Sequence, residues 1–208
     1  MAMLRLHVNL EHPQPRHVRR AAQIARSGGL LIYPTDTTYG LGCDLYAKRA
    51  VERIYKVKGL SRKHPLSFIC ADLSEVAHYA IIEDWHYRIL RHLLPGQYTF
   101  ILPAGREVPR IVQSKVQTVG IRIPASPVSV ALVKELGHPL ISTTVPHLRE
   151  EETAYVNDPD DAAALYRHSV EVLLDAGVLY GGPSSVVDLS GEAPRILRRG
   201  FGDLSYFE

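Results

Sequence analysis

The stretch YPTDTTYGLGCD, residues 33–44, leaves an apolar run (Leu30 to Tyr33) and then packs Thr35, Asp36, Thr37 and Thr38 into four positions. An aromatic and two glycines follow. Three hydroxyls and a carboxylate exceed what a strand needs to turn and start a helix. Hydroxyls donate and accept hydrogen bonds and add little bulk, so they suit a pocket for phosphate or an amino acid. They also cap helices and turns. The flanking elements decide how the segment is used.

Upstream, HVRRAAQIARSGG places Val18, Ala21, Ala22 and Ala25 at helical spacing and stops at a Gly pair. LLIYP then reads as a buried strand. Downstream, AKRAVERIYKVKG is helical, with Val51, Ile54 and Tyr55 on one face. PLSFICA reads as a strand, LSEVAHYA and DWHYRILRHLLPG as helices, and YTFILPA and VGIRIP as strands. SPVSVALVKELG is a helix opened by a serine cap and closed by Gly137. PLISTTV, VEVLLDAG, SSVVDLS and RILRRG supply further strands. Strands and helices alternate early and strands cluster later, which predicts an α/β fold: a twisted, open, mixed sheet with helices packed on it. Ligands of such sheets sit near strand ends.

Four segments put small hydroxylated residues beside an apolar strand: Thr35 to Thr38, Ser142-Thr143-Thr144, Ser184-Ser185 and Thr118. Basic residues supply the other half. Lys56, Lys58, Arg62 and Lys63 crowd the end of the second helix, either as charge favourable to a helix C-terminus or as cations for a triphosphate. Arg122 lies inside an apolar strand, where an unpaired guanidinium is expensive to bury. It needs an anion, either a fixed carboxylate such as Asp36 or Asp188, or a ligand, and service to a ligand is the expectation. Arg198 raises the same question. Asp158, Asp160 and Asp161 read as an acidic helix start.

At 208 residues the chain is long enough for its own core, and residues 1–208 are expected to form one domain. A net charge of +2 is too small to imply a polyanion partner by itself. Cys43 and Cys70 form no zinc or CxxC spacing and read as reduced thiols. No apolar run approaches the ~20 residues that span a bilayer, and the N-terminus lacks the apolar core of a secretion signal. A cytoplasmic protein is expected. No P-loop, GxGxxG or HExxH motif occurs, and no protein metal site is expected.

Taken together, these segments resemble the YrdC/Sua5 family of threonylcarbamoyl-AMP synthases, YciO-type branch, from about residue 12 to 205. YPTDTTYGLG is similar to that family's PT[ED]TxYGLG motif. KVKGLSRKHPLSF resembles its KGRPxxxPL segment, PGQYTFIL its PGPxT strand, and TVGIRIPASP its VGVRxP segment. PLISTTV stands in the place of its TSAN motif, and SSVVDL with ILRRG resembles its STVVDL and LRxG ending. The resemblance implies a YrdC-like sheet enclosing a positively charged cavity. It also implies a nucleotidyltransferase that joins L-threonine, bicarbonate and ATP, with Mg²⁺ carried by the nucleotide, into threonylcarbamoyl-adenylate and pyrophosphate. The product serves modification of tRNA adenosine 37. The carboxylated threonine would attack the α-phosphorus, with the protein supplying position and charge.

By the same resemblance Thr35, Tyr39, Arg122, Ser142 and Ser185 would hold threonine. Lys58, Arg62, Thr118, Thr144 and Arg198 would hold the nucleotide, and Lys58, Arg62 and Thr144 would carry catalysis. The chain departs from the family pattern at Leu60, where an Arg is usual, and at Pro146, where an Asn is usual; Thr144 replaces a Ser. Slow turnover is expected from those losses. The alternative is a nucleotide-, tRNA- or double-stranded-RNA-binding protein without efficient synthase activity, bound through phosphates by shape.

Overall fold

The computed structural model describes residues 3–59, 66–109, 111–112, 116–145 and 155–208. The chain opens with β1 (Leu4–His7), α1 (Pro15–Arg26), β2 (Leu31–Pro34) and β3 (Tyr39–Asp44). Next come α2 (Lys48–Val57), β4 (Ser67–Ile69), α3 (Leu73–Tyr79) and α4 (Asp84–Leu93). β5 (Tyr98–Pro103), β6 (Thr118–Arg122), α5 (Pro127–Leu136) and β7 (Leu140–Thr144) form the middle. The last part holds α6 (Pro159–Tyr166), β8 (Val172–Asp175), β9 (Ser185–Asp188) and β10 (Arg195–Arg198).

The helices start and stop for chemical reasons. Ser126 Oγ accepts the Ser129 amide at the start of α5, Pro127 occupies the first turn, and Gly137 closes the helix at φ 77°. Asp158 caps α6 through the Asp160 amide, and Asp160 and Asp161 fill its first turn.

All ten strands join one mixed sheet in the order β1-β8-β2-β3-β7-β4-β6-β5-β9-β10. The expected α/β architecture is therefore present, with one difference at the decisive segment. After Thr35 to Thr38 the chain does not start a helix. It doubles back as β3, antiparallel to β2, with Tyr33 opposite Gly40 and Leu31 opposite Gly42. β1, paired parallel with β8, is a second strand that the sequence pattern did not reveal.

Period-2 alternation sends the two sides of the sheet into different environments. Ile32, Leu41, Cys43, Phe68, Phe100, Ile121 and Ile141 enter the larger core with residues of α2, α3, α4 and α6. On the other face Leu31, Tyr33, Ile69, Leu140, Val172 and Leu174 pack with α1 and α5. Those two helices roof the β8 and β2 part of the sheet and reach one end of β4 and β7 through Ile69 and Leu140. Across the middle of β3, β7, β4 and β6 the same face carries a row of glycine and hydroxyl side chains. Gly42 stands opposite Ser142, Ser142 opposite Ser67, Ser67 opposite Gly120, and Gly120 opposite Ile101. An apolar face must be covered; a polar one can be left open, and here it forms the floor of a cavity.

Candidate functional site

The cavity has a volume of about 170 Å³, room for on the order of ten waters. Its floor is Ser67, Gly120 and Ser142 with Gly40; Thr35 and Thr38 close one side, and Thr99, Ser184 and Arg198 the other. Glycine is required by packing on this floor. A Cβ on Gly40 would lie 2.9 Å from the Tyr33 ring, and one on Gly42 2.8 Å from the Ile141 carbonyl oxygen.

The threonine-rich turn is tied by its own side chains. Thr35 Oγ1 donates to the Thr38 carbonyl at 2.6 Å and accepts the Thr37 amide at 3.1 Å. Asp36 points across the sheet end: its carboxylate pairs with Arg122 Nη2 and accepts the Ala125 amide at 3.0 Å. Arg122 Nη2 also reaches Thr37 Oγ1 at 2.8 Å and Thr35 Oγ1 at 3.3 Å. The expectation that Arg122 serves a ligand rather than a structural pair is corrected in its second half: the structural pair exists. Of the two carboxylates considered, Asp36 is its fixed anion, because the β2–β3 turn brings it to the end of β6. Asp188 instead pairs with Arg195 at 3.1 Å. Arg122 still lines the cavity, is 8% exposed, and its Nε is buried without a hydrogen-bond partner among the described residues.

Of two further cations, Arg198 lines the space and Lys58 is bonded to its wall. Lys58, at the end of α2, reaches the end of β7, where Nζ donates to Thr143 Oγ1 and to the Thr144 carbonyl, both at 2.9 Å. Burial, with Arg198 adding to it, holds the Lys58 ammonium down to about 8. Arg198 donates from Nε to the Ser184 carbonyl at 2.9 Å and from Nη2 to Ser184 Oγ at 3.1 Å. Burial also lowers the Arg198 guanidinium, and Arg122 pushes the same way. Among the described residues neither Lys58 nor Arg198 forms an ion pair with a carboxylate.

The sequence-derived residues separate into groups. Thr35, Arg122, Ser142, Thr144 and Arg198 line the cavity, with Lys58 bonded to its wall. Tyr39 borders it, but its ring belongs to the larger core, and its hydroxyl donates to the Gly177 carbonyl and accepts the Ala176 amide. Thr118 begins β6 opposite Pro103 and Ser185 is wholly buried; neither lines the cavity. Ser185 Oγ instead donates to the Gly202 carbonyl at 2.7 Å and accepts the Gly200 amide at 3.0 Å. Its neighbour Ser184 faces the cavity, bonded to Thr99 Oγ1 at 2.8 Å. Arg62, Leu60 and Pro146 lie outside the described residues. Ser67, Thr99 and Ser184 were not singled out as ligand groups; the signal for them is alternation, since each lies two residues from another lining position.

Elsewhere, Cys43 and Cys70 are buried and free. Arg195 and Arg199 pair with Asp188 and Glu208. No helix among the described residues is long and apolar enough to cross a membrane.

The architecture has close counterparts among known proteins. A family model covering Sua5, YciO and YrdC, described as telomere recombination, matches residues 23–200. The uncharacterized protein YciO of Escherichia coli K12 is 36% identical over 202 residues, 97% of either chain. The E. coli YciO crystal structure matches with a TM-score of 0.94 at 34% identity, covering 99% of this chain and 100% of that one. A threonylcarbamoyl-AMP synthase of Nitrosococcus oceani is 38% identical over 128 residues, 61% of this chain and 69% of the synthase. The crystal structure of P. abyssi Sua5 complexed with L-threonine matches with a TM-score of 0.86 at 28% identity, over 95% of this chain and 58% of that one. Sequence, fold and family model agree: the chain belongs to the Sua5/YciO/YrdC family.

Proposed function

We propose that the cavity binds L-threonine and the phosphates of Mg-ATP and forms threonylcarbamoyl-adenylate slowly. The observation that carries this reading is that Arg198 lines the hydroxyl-rich cavity and the half-buried Lys58 is bonded to its wall, neither with a carboxylate partner among the described residues. A cation without a fixed counter-ion favours an anionic ligand, the more so where, as at Lys58, part of the desolvation cost is already present in the free protein. Relatives named as threonylcarbamoyl-AMP synthases, and a Sua5 structure holding L-threonine, support the choice of ligands.

In this reading the threonine lies against Thr35 and Ser142, its carboxylate near Arg122. Its amine takes up bicarbonate with loss of water to give a carbamate. A carbamate oxygen attacks the α-phosphorus; the bond to the β-phosphate bridging oxygen breaks, and pyrophosphate leaves. Lys58 and Arg198 offset the charge that moves onto the leaving group. Thr35, Ser142 and Thr144 orient the reactants. The protein itself forms no covalent bond.

The test is pyrophosphate release with ATP, threonine and bicarbonate, each omitted in turn. Release that needs all three supports the reading. No release, with ATP binding intact by calorimetry, would leave a nucleotide-binding protein in its place.

A further inference from the structure

We propose that Lys58 is a carbon dioxide-binding lysine, converted reversibly to a carbamate whose negative charge is held by Arg198. The placement of Lys58 makes the case. Its side chain is drawn out of solvent at the end of α2 and held by two acceptors, Thr143 Oγ1 and the Thr144 carbonyl oxygen, at 2.9 Å each. A neutral amine has two N–H groups and one lone pair. Both N–H groups can be spent on those acceptors, which leaves the lone pair as the free position.

Electrostatics favours the same conversion. Among the described residues the charged group felt by Lys58 is Arg198, a cation; β7 contributes only a hydroxyl and a carbonyl. Arg198 disfavours the charged form of Lys58, and with Lys58 half-buried that repulsion is only partly screened by solvent. Carboxylation changes Lys58 from a cation to an anion, so a repulsive pair becomes an attractive one. Arg198 presents a planar guanidinium suited to a planar carbamate. Thr143 Oγ1, which accepts from the amine, can turn its own hydrogen towards a carbamate oxygen. The amine loses its proton near pH 8, so a usable neutral fraction exists close to neutrality.

The step balances without any further reactant than carbon dioxide. The lone pair of Nζ forms a bond to carbon, one C–O π pair moves onto oxygen, and one N–H proton passes to water. Reversal releases carbon dioxide and restores the cation. The charge of the phosphate-facing wall would then follow carbon dioxide pressure, which goes beyond the use of bicarbonate as a substrate.

The experiment equilibrates the full-length protein with ¹³C-bicarbonate at pH 8, traps carbamates with triethyloxonium ion, and reads peptides by mass spectrometry. Glycylglycine in the same tube reports that trapping has worked. The expected result is label on Lys58 above that of the other lysines, absent in Lys58→Arg and several-fold weaker in Arg198→Met. Arg198→Met acts in one direction on both counts: it restores the ammonium and removes the counter-charge. Labelled glycylglycine with an unlabelled Lys58, or equal label on all lysines, would overturn the proposal. Neither ATP nor threonine is present, so a negative result here is separate from a failure of pyrophosphate release.

Discussion

Arg122 and Asp36 form a buried ion pair that joins the end of β6 to the turn between β2 and β3, and Arg122 of that pair lines the cavity. The pair has two duties that mutation can separate. Removing Asp36 strands a guanidinium whose Nε already lacks a partner. Asp36→Ala should therefore cost about 3 kcal/mol, the usual scale for breaking a buried pair from one side. Asp36→Ala with Arg122→Met should be more stable than Asp36→Ala alone, while threonine binding is lost. Urea unfolding and calorimetry measure the two effects. A double variant no more stable than the single one would argue against the pair as the cause.

Adjacent serines should behave oppositely. Ser185→Ala removes a donor to the Gly202 carbonyl and an acceptor for the Gly200 amide inside the protein, and should lower stability by about 1–3 kcal/mol. Ser184→Ala, on the cavity side, should change stability less and ligand affinity more. Thermal unfolding beside nucleotide titration reads the contrast.

Closing the floor should block binding without unfolding the sheet. Gly120 has an ordinary strand position, and a Cβ there would lie 3.1 Å from Ser67 Oγ. Gly120→Val puts methyl groups into the cavity and suits a strand. Threonine and nucleotide binding should fall at least tenfold, with circular dichroism unchanged. Undiminished binding would place the ligands elsewhere.

Lys58 has a pH signature. In the folded protein burial brings its ammonium down to about 8, against an ordinary value of 10.5. Between those values the unfolded chain holds a proton that the folded one has lost, so stability from this group rises with pH across that window. Below pH 8 the full desolvation cost is present. Wild type should therefore gain on Lys58→Met between pH 8 and 10.5, by on the order of 2 kcal/mol after allowing for partial exposure. Denaturant unfolding in carbon dioxide-free buffer measures it; a constant difference would mean that the ammonium is well solvated.

The sequence resemblance sets Leu60 and Pro146 against an Arg and an Asn of the family motifs. If those losses slow adenylation, Leu60→Arg with Pro146→Asn should raise threonine-dependent pyrophosphate release. The double variant should exceed the sum of the single ones, because both groups would act on one ligand. Equal rates in wild type and double variant would remove that explanation.

Much of this architecture was legible before any coordinates. The helices with a 3.6-residue stripe, α1, α2 and α5, announce themselves through Val18-Ala21-Ala22-Ala25, Val51-Ile54-Tyr55 and the Ser126/Gly137 caps. β3 does not. It is buried on both faces, so Tyr39-Gly40-Leu41-Gly42-Cys43 has no polar alternation, and its glycines lower strand propensity. β1 is a four-residue edge strand whose partner β8 lies far along the chain. In the site, residue types were readable but facing was not. Choosing Ser184 over Ser185 requires the register of β9, and linking Arg122 to Asp36 requires the hairpin that the β2–β3 segment forms.

The glycine and serine row under the cavity belongs to strands paired on both sides. Its amides should exchange with deuterium only through global opening, with or without ligand. Changes in protection on binding should instead concentrate at the rim, in the Thr35–Thr38 turn and around Ser184. A floor that stiff leaves little ordering to be done at the moment of capture. It also sets a fixed depth: a ligand one methyl too long cannot be accommodated by the strands yielding, and must be rejected at the rim.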